Sequence, residues 1–196
     1  MHRKKVVLCS LFGLLLVGCM ATIDNHYMLL SQDTRTPAVS YAQIVASPTS
    51  TPLVSGETAR NELSEASPLL NIDGNRSVYE LFSFEANANQ EFHLIVDGMV
   101  MPGLSQSQVV PLVVVVDERR GVLPVSFERH QHGLNLTDGT SMKATIIGRA
   151  VRRSVLYVVV MADNRHAGKA VGRVAELPVY PSPFGPIRVA LMWPSG

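Results

Sequence analysis

The sequence has only two cysteines, Cys9 and Cys19, in 196 residues. That excludes a disulfide-stapled scaffold, and it excludes the paired CxxC spacings of zinc ribbons and thiol oxidoreductases. A single tryptophan and few aromatics are spread along the chain, so no periodic aromatic motif marks a repeat architecture. The formal net charge is only +1, without the positive excess that a nucleic-acid partner calls for. No apolar run reaches the roughly 20 residues that a membrane-spanning helix needs. Also missing are a Gly-x-Ser-x-Gly elbow, a phosphate loop, a dinucleotide fingerprint and a His-Glu-x-x-His pair. These absences remove the recognisable hydrolase, nucleotide-binding and metalloprotease classes, and the chain reads as a protein that is not an enzyme and needs no cofactor.

What is present begins at the amino end. Arg3, Lys4 and Lys5 precede an apolar stretch over residues 6–18, the n-region and h-region of an export signal. The order Leu16, Val17, Gly18, Cys19 resembles the lipobox of bacterial lipoprotein precursors. A thiolate forms the thioether to diacylglycerol, and a small residue before it admits the peptidase. Residues 1–18 are therefore expected to be a signal peptide, with Cys19 the lipid attachment point. One acyl chain anchors only marginally, whereas the two or more of a lipoprotein, palmitate among them, hold stably. Met20 follows the cysteine in place of the aspartate that resembles an inner-membrane retention signal, which favours the outer membrane, lipid-anchored and facing the periplasm. Cleavage removes three basic residues and leaves 14 against 16 acidic ones, a net charge of −2. No nucleic-acid partner is expected.

Residues 36–52 are rich in Ser, Thr and Pro, so residues 19–52 are expected to form a flexible tether. Residues 57–66 place Ala59, Leu63 and Ala66 at helical spacing, which predicts a short surface helix. Beyond Pro68 the period changes to two. Phe92, Leu94 and Val96 share one face, and the same alternation joins Leu123, Val125 and Phe127; Met142, Ala144 and Ile146; and Ile187, Val189, Leu191 and Trp193. Residues 112–116 and 155–161 are apolar throughout, as strands covered on both faces are, and Pro111 marks the start of the first. Asp97-Gly98, Arg120-Gly121 and Asp138-Gly139 are expected to be turns, with a hairpin tip at residues 87–89. With residues 69–72 and 78–84 added, the pattern predicts an all-β fold: one β-sandwich of about eight strands, jelly-roll or immunoglobulin-like, over residues 53–196.

Three groups of residues invite chemistry. His130 and His132, two apart, could share a metal on a strand, but the third and fourth ligands are missing, so the segment reads as a solvated loop and no metal site is assigned. Asp163, Asn164, Arg165 and His166 follow the most apolar strand with side chains that can bond to sugar hydroxyls, or simply form a turn. Tyr180, Phe184 and Trp193 supply rings on which sugars stack. Trp193 continues a buried face and reads as core, while Tyr180, among prolines, is the better surface candidate.

The segment Leu177-Pro178-Val179-Tyr180-Pro181-Ser182-Pro183, then Gly185 and the strand over residues 187–191, resembles the MalM family of periplasmic proteins encoded with maltose-uptake systems. The apolar strand at residues 156–160 and the run Leu69-Leu70-Asn71-Ile72-Asp73-Gly74 fit the same order. The resemblance covers most of residues 53–193. The lipobox and the end at Gly196 depart from members that have an ordinary signal peptide and a carboxyl extension. It implies association with maltose or maltodextrin transport, with an oligosaccharide or a sugar-transport protein as partner, and transfers no catalytic residue. The alternative expectation is an assembly lipoprotein of an envelope or secretion complex, whose strand edges dock a partner.

Overall fold

A computed structural model describes residues 25–46, 49–99, 107–119, 121–135, 139–174 and 177–194. Cys19 and the signal sequence lie outside the described residues. After a helix over residues 25–32 (α1) and a short one at Tyr41–Ile44 (α2), the chain is built of strands. In order these are β1 (Thr51–Pro52), β2 (Thr58–Leu63), β3 (Leu69–Ile72), β4 (Asn75–Ala86), β5 (Glu91–Met99), β6 (Ser107–Gln108) and β7 (Pro111–Asp117). They continue with β8 (Val125–Asn135), β9 (Gly139–Arg149), β10 (Ser154–Ala162), β11 (Gly172–Val174), β12 (Leu177–Pro181) and β13 (Gly185–Met192). The fold is all-β, as the alternation predicts. The strands exceed the expected eight because the chain adds short pieces, such as the two-residue β1 and β6, around the long ones.

Two five-stranded sheets face each other. One has the order β1-β4-β10-β7 with β3 hydrogen-bonded to β4, and the other runs β2-β13-β5-β9-β8. A third, small sheet has the order β11-β12-β6. The inward residues of both large sheets form one core: Val78, Phe82, Phe84, Val113, Val115, Leu156, Val158 and Val160 from the first, and Phe92, Leu94, Val96, Ala144, Ile146, Ile187, Val189 and Leu191 from the second. Period-two alternation puts these apolar side chains between the layers, and burial of each large one is worth about 1.5–3 kcal/mol. The runs expected to be covered on both faces are buried on the inner face and, at Leu112, Val114, Val155 and Tyr157, only partly covered on the outer one. The outward side of β4, β10 and β7 carries a second cluster of Leu81, Val116, Val159 and Met161, packed with Leu70, Ile72, Ile44 and Val45.

That second cluster explains the main correction. The expected tether is, from residue 25, part of the folded body. Tyr27 donates its hydroxyl to the Pro181 carbonyl at 3.1 Å, Leu30 enters the central core, and Arg76 donates to the carbonyls of Leu30 and Asp33. Ala38 pairs with β3, donating to the Leu69 carbonyl and accepting from the Asn71 amide. Ser40 caps α2, accepting from the Gln43 amide at 3.3 Å, and so turns Ile44 and Val45 onto the sheet. A few large apolar residues at the right places outweigh a Ser/Thr/Pro-rich composition.

Two smaller expectations also fail. Residues 58–63 form an edge strand, not a helix, because six residues pair antiparallel with β13 and Leu63 enters the core. Gly98 lies inside β5, not in a turn. It is glycine because the Val109 carbonyl oxygen would stand 1.9 Å from a Cβ there. Asp73 and Gly74, both with positive φ (51° and 75°), close the β3–β4 hairpin, and Asn89, at φ 61°, completes the expected tip between β4 and β5. Arg120 of the expected Arg120-Gly121 turn lies outside the described residues; the Asp117 carboxylate accepts from the Gly121 amide at 2.8 Å. Asp138 lies outside the described residues, while Gly139 opens β9.

Candidate functional site

Asp163 follows β10 directly, with a side chain only 1% exposed. Its carboxylate accepts from Arg165 at 2.8 and 3.0 Å and from Arg129 on β8 at 3.1 Å. Burial alone would raise its pKa, but the hydrogen bonds and charges of Arg165 and Arg129 outweigh this and hold it at about 2. Asn164 donates to the Arg76 carbonyl at 2.8 Å, and its amide donates to Asn75, whose own side chain donates to the Ala162 carbonyl. The Asn164–His166 turn is thus a clasp between β4, β8 and β10. It directs Asp163 and Asn164 inward and leaves Arg165 and His166 exposed. Three of the four expected sugar contacts, Asp163, Asn164 and Arg165, are engaged within the protein itself. Burial, with the Asp163 charge behind it, also pushes the Tyr27 phenol up. Tyr180 stands half-buried on β12, opposite Ser107, and does not join an aromatic platform. Phe184 is buried against His26, with centroids 5.5 Å apart.

His130 is not in a loop but in the edge strand β8, which pairs with β9 through His132 and Ser141. Its ring is 60% exposed and lies 3.3 Å from the Glu128 carboxylate. The side chain of His132 lies outside the described residues. Among the described residues no three His, Cys, Asp or Glu side chains are grouped to hold a metal ion. No helix among them is long and apolar enough to cross a membrane.

A candidate ligand site among the described residues lies at the other end of the sandwich. An open pocket of about 360 Å³ is lined by Glu85, Ala86, Asn87, Gln90, Arg153 and Trp193. The β4–β5 tip supplies Asn87 and Gln90, and the turn before β10 supplies Arg153. Trp193 follows β13 and is half-buried. Its ring meets Phe84 edge-on at 5.8 Å, and Phe84 meets Phe92 in the same manner at 5.2 Å, which fixes the indole from below. Gln90 receives the Asn87 amide at 2.8 Å, and the Asn89 amide donates to the Ala150 carbonyl, so the tip is braced against the β9–β10 turn. Carboxylate, two carboxamides and a guanidinium around one indole can donate to and accept from hydroxyl groups while a ring face rests on the tryptophan. The sequence points to Trp193 only as a core residue, which its packing on Phe84 agrees with, and does not reveal Glu85, Asn87 and Gln90 of the β4–β5 hairpin or Arg153 of the turn before β10 beside it.

A second open pocket, about 270 Å³, lies beside the clasp and is lined by Val110, Arg129, Met142 and Val171. Its only charged wall is Arg129, already paired with Asp163 and stacked 5.4 Å from the Phe127 ring centre.

No protein-family model matches the chain, and no curated protein does. Among solved structures it is similar to CorA of Methylomicrobium album BG8, described as a surface-associated copper-binding protein important in copper acquisition. The identity is 11% and the TM-score 0.43, over 81% of this chain and 100% of that one. A likeness of that degree transfers no residue and no function.

Proposed function

We propose that this chain is a lipid-anchored protein of the outer membrane, facing the periplasm, that acts by binding and not by catalysis and takes an oligosaccharide at the Trp193 pocket. The observation that carries this reading is the pocket itself: one indole, braced by Phe84, ringed by Glu85, Asn87, Gln90 and Arg153. The resemblance to the MalM family supports a maltodextrin as the ligand and a role beside sugar uptake. One ring stack contributes about 0.5–1.5 kcal/mol and each neutral hydrogen bond a similar amount, so an open site of this size holds its ligand at a Kd of about 0.1–1 mM. Weak capture suits a protein that hands sugar on to a transporter. Calorimetry with maltodextrins on the mature chain tests it: saturable heat that disappears in Trp193→Ala and shifts to about five- to tenfold weaker affinity in Asn87→Ala supports the reading, and no heat in the parent protein overturns it.

The edge strand β8 favours a second reading. Eleven residues long, it has β9 as its one partner in the sheet order among the described residues, which leaves a backbone edge for a strand of another protein. In that case the chain is an assembly lipoprotein. Pull-down from detergent-solubilised envelopes separates the two: a secretion or pilus component supports assembly, and a transport component supports uptake.

A further inference from the structure

The polar groups around Trp193 divide into a donor side and an acceptor side. Gln90 already accepts the Asn87 amide through Oε1, which leaves its side-chain nitrogen as the free group. The Ala150 amide donates to the Gln90 carbonyl, so this residue lies against the β9–β10 turn to which Arg153 belongs. A guanidinium donates and never accepts. The side of the pocket formed by Arg153 and Gln90 therefore offers mainly donors. Glu85, opposite Val155 on β10, offers only acceptors.

Arg153 is also unengaged. Arg149 and Arg152 in the same region are held by Glu91 and Asp117 at 3.0 and 2.9 Å, whereas Arg153 has no hydrogen bond or ion pair among the described residues. Glu85 is equally without a partner among them. No ion pair joins the two, although Arg153 lies only two residues before Val155, the cross-strand neighbour of Glu85. The pocket thus holds one free cation and one free carboxylate. Their charges cancel, so selection between ligands depends on where each charge lies.

We propose that the Trp193 pocket prefers an oligosaccharide that carries carboxylates, a uronate, and that Arg153 is the residue that selects it. This rests on the oligosaccharide reading of the pocket. An ionised carboxylate accepts and does not donate, so it matches the donor side, and the guanidinium fork takes both of its oxygens at once. Sugar hydroxyls, which can donate, fall to Glu85 and the Asn87 carboxamide, while a ring face rests on the indole. A neutral maltodextrin keeps the hydroxyl contacts and the stack but gives Arg153 no charged partner. An amino sugar would satisfy Glu85 and leave the donor side unmatched.

The test titrates the mature chain, by calorimetry, with maltoheptaose and with maltoheptaose whose hydroxymethyl groups have been oxidised to carboxylates. The two sugars share one backbone and one linkage. In the parent protein the oxidised sugar is expected to bind at least about tenfold more tightly at low salt, with a smaller advantage in about 0.5 M sodium chloride. Arg153 and Glu85 are exposed, so their replacement leaves the fold intact, and the ratio of the two affinities within each variant cancels the contacts that both sugars make. Arg153→Gln is expected to bring that ratio to about one, and Glu85→Gln to raise it about threefold by removing a like charge. Equal affinities in the parent protein overturn the carboxylate preference and leave the oligosaccharide reading standing. A preference that survives Arg153→Gln overturns the role of that side chain. Binding of neither sugar overturns the reading of the pocket and this inference with it.

Discussion

Trp193 and Phe84 meet edge-on, 5.8 Å between ring centres at an interplanar angle of 67°, and this contact joins the core to the candidate binding pocket. One indole therefore serves packing and, in the proposed function, recognition. Replacing Trp193 with Phe is expected to keep most of the packing, with a stability loss under about 1.5 kcal/mol in urea unfolding, because the swap stays aromatic. Trp193→Ala, which opens the end of the core, is expected to cost about 3 kcal/mol.

The polar wall of the pocket separates from its floor. Asn87 and Arg153 are exposed, so their replacement by alanine leaves the urea midpoint within about 0.5 kcal/mol of the parent. Each loses about five- to tenfold in maltodextrin affinity by calorimetry, the value of one hydrogen bond to a sugar hydroxyl. A variant that unfolds early and binds normally would reverse the roles assigned to these side chains.

Asp163 makes stability fall in acid. Its folded pKa, about 2, is below the ordinary 3.8, so the unfolded chain takes up the proton first. Its contribution, about 2 kcal/mol, is complete above the ordinary value and drains away as pH falls from about 5 to 2. Urea unfolding at pH 7, 4 and 2.5 reads this directly. Asp163→Asn is expected to be less stable by about 2–4 kcal/mol at pH 7, with two arginines left facing a neutral amide, and to show a flatter acid limb.

The order of strands along the chain was legible because alternation is a local signal. Phe92, Leu94 and Val96 announce a half-buried strand, and each is fully buried on β5. Residues 25–46 were not legible, because Tyr27, Leu30, Tyr41, Ile44 and Val45 are scattered among polar and small residues, and their value depends on the sheet that receives them. β2 read as a helix for the converse reason: its alternating burial comes from pairing with β13, while Ala59 and Leu63 also happen to fall four apart. The candidate pocket was hidden because Glu85, Gln90, Arg153 and Trp193 lie up to 108 positions apart and share no motif, only one end of a sandwich.

Docking of the amino-terminal segment has a direct consequence for truncation. Leu30→Ala is expected to cost about 3 kcal/mol, the usual range for a leucine lost from a core. A fragment that begins at residue 53 loses Leu30, Ile44 and Val45 together, and its thermal midpoint should lie well below that of a fragment beginning at residue 20. Equal midpoints would mean that residues 25–46 do not stabilise the sandwich.

Gly98 and Gly148 differ in what lies opposite them. A Cβ on Gly148 would stand 2.4 Å from the Phe92 ring, which can shift slightly, whereas on Gly98 it would meet the Val109 carbonyl at 1.9 Å, which is backbone. Gly148→Ala is expected to cost about 1–3 kcal/mol by chemical unfolding, and Gly98→Ala to cost more.

The chain has a single tryptophan, so its intrinsic emission comes from the pocket alone. Titration of the mature protein with maltoheptaose, followed at the tryptophan emission band, is predicted to give a saturable change with a midpoint at about 0.1–1 mM. Emission that stays constant through about 10 mM, in protein that unfolds cooperatively and is therefore intact, would contradict oligosaccharide binding at Trp193.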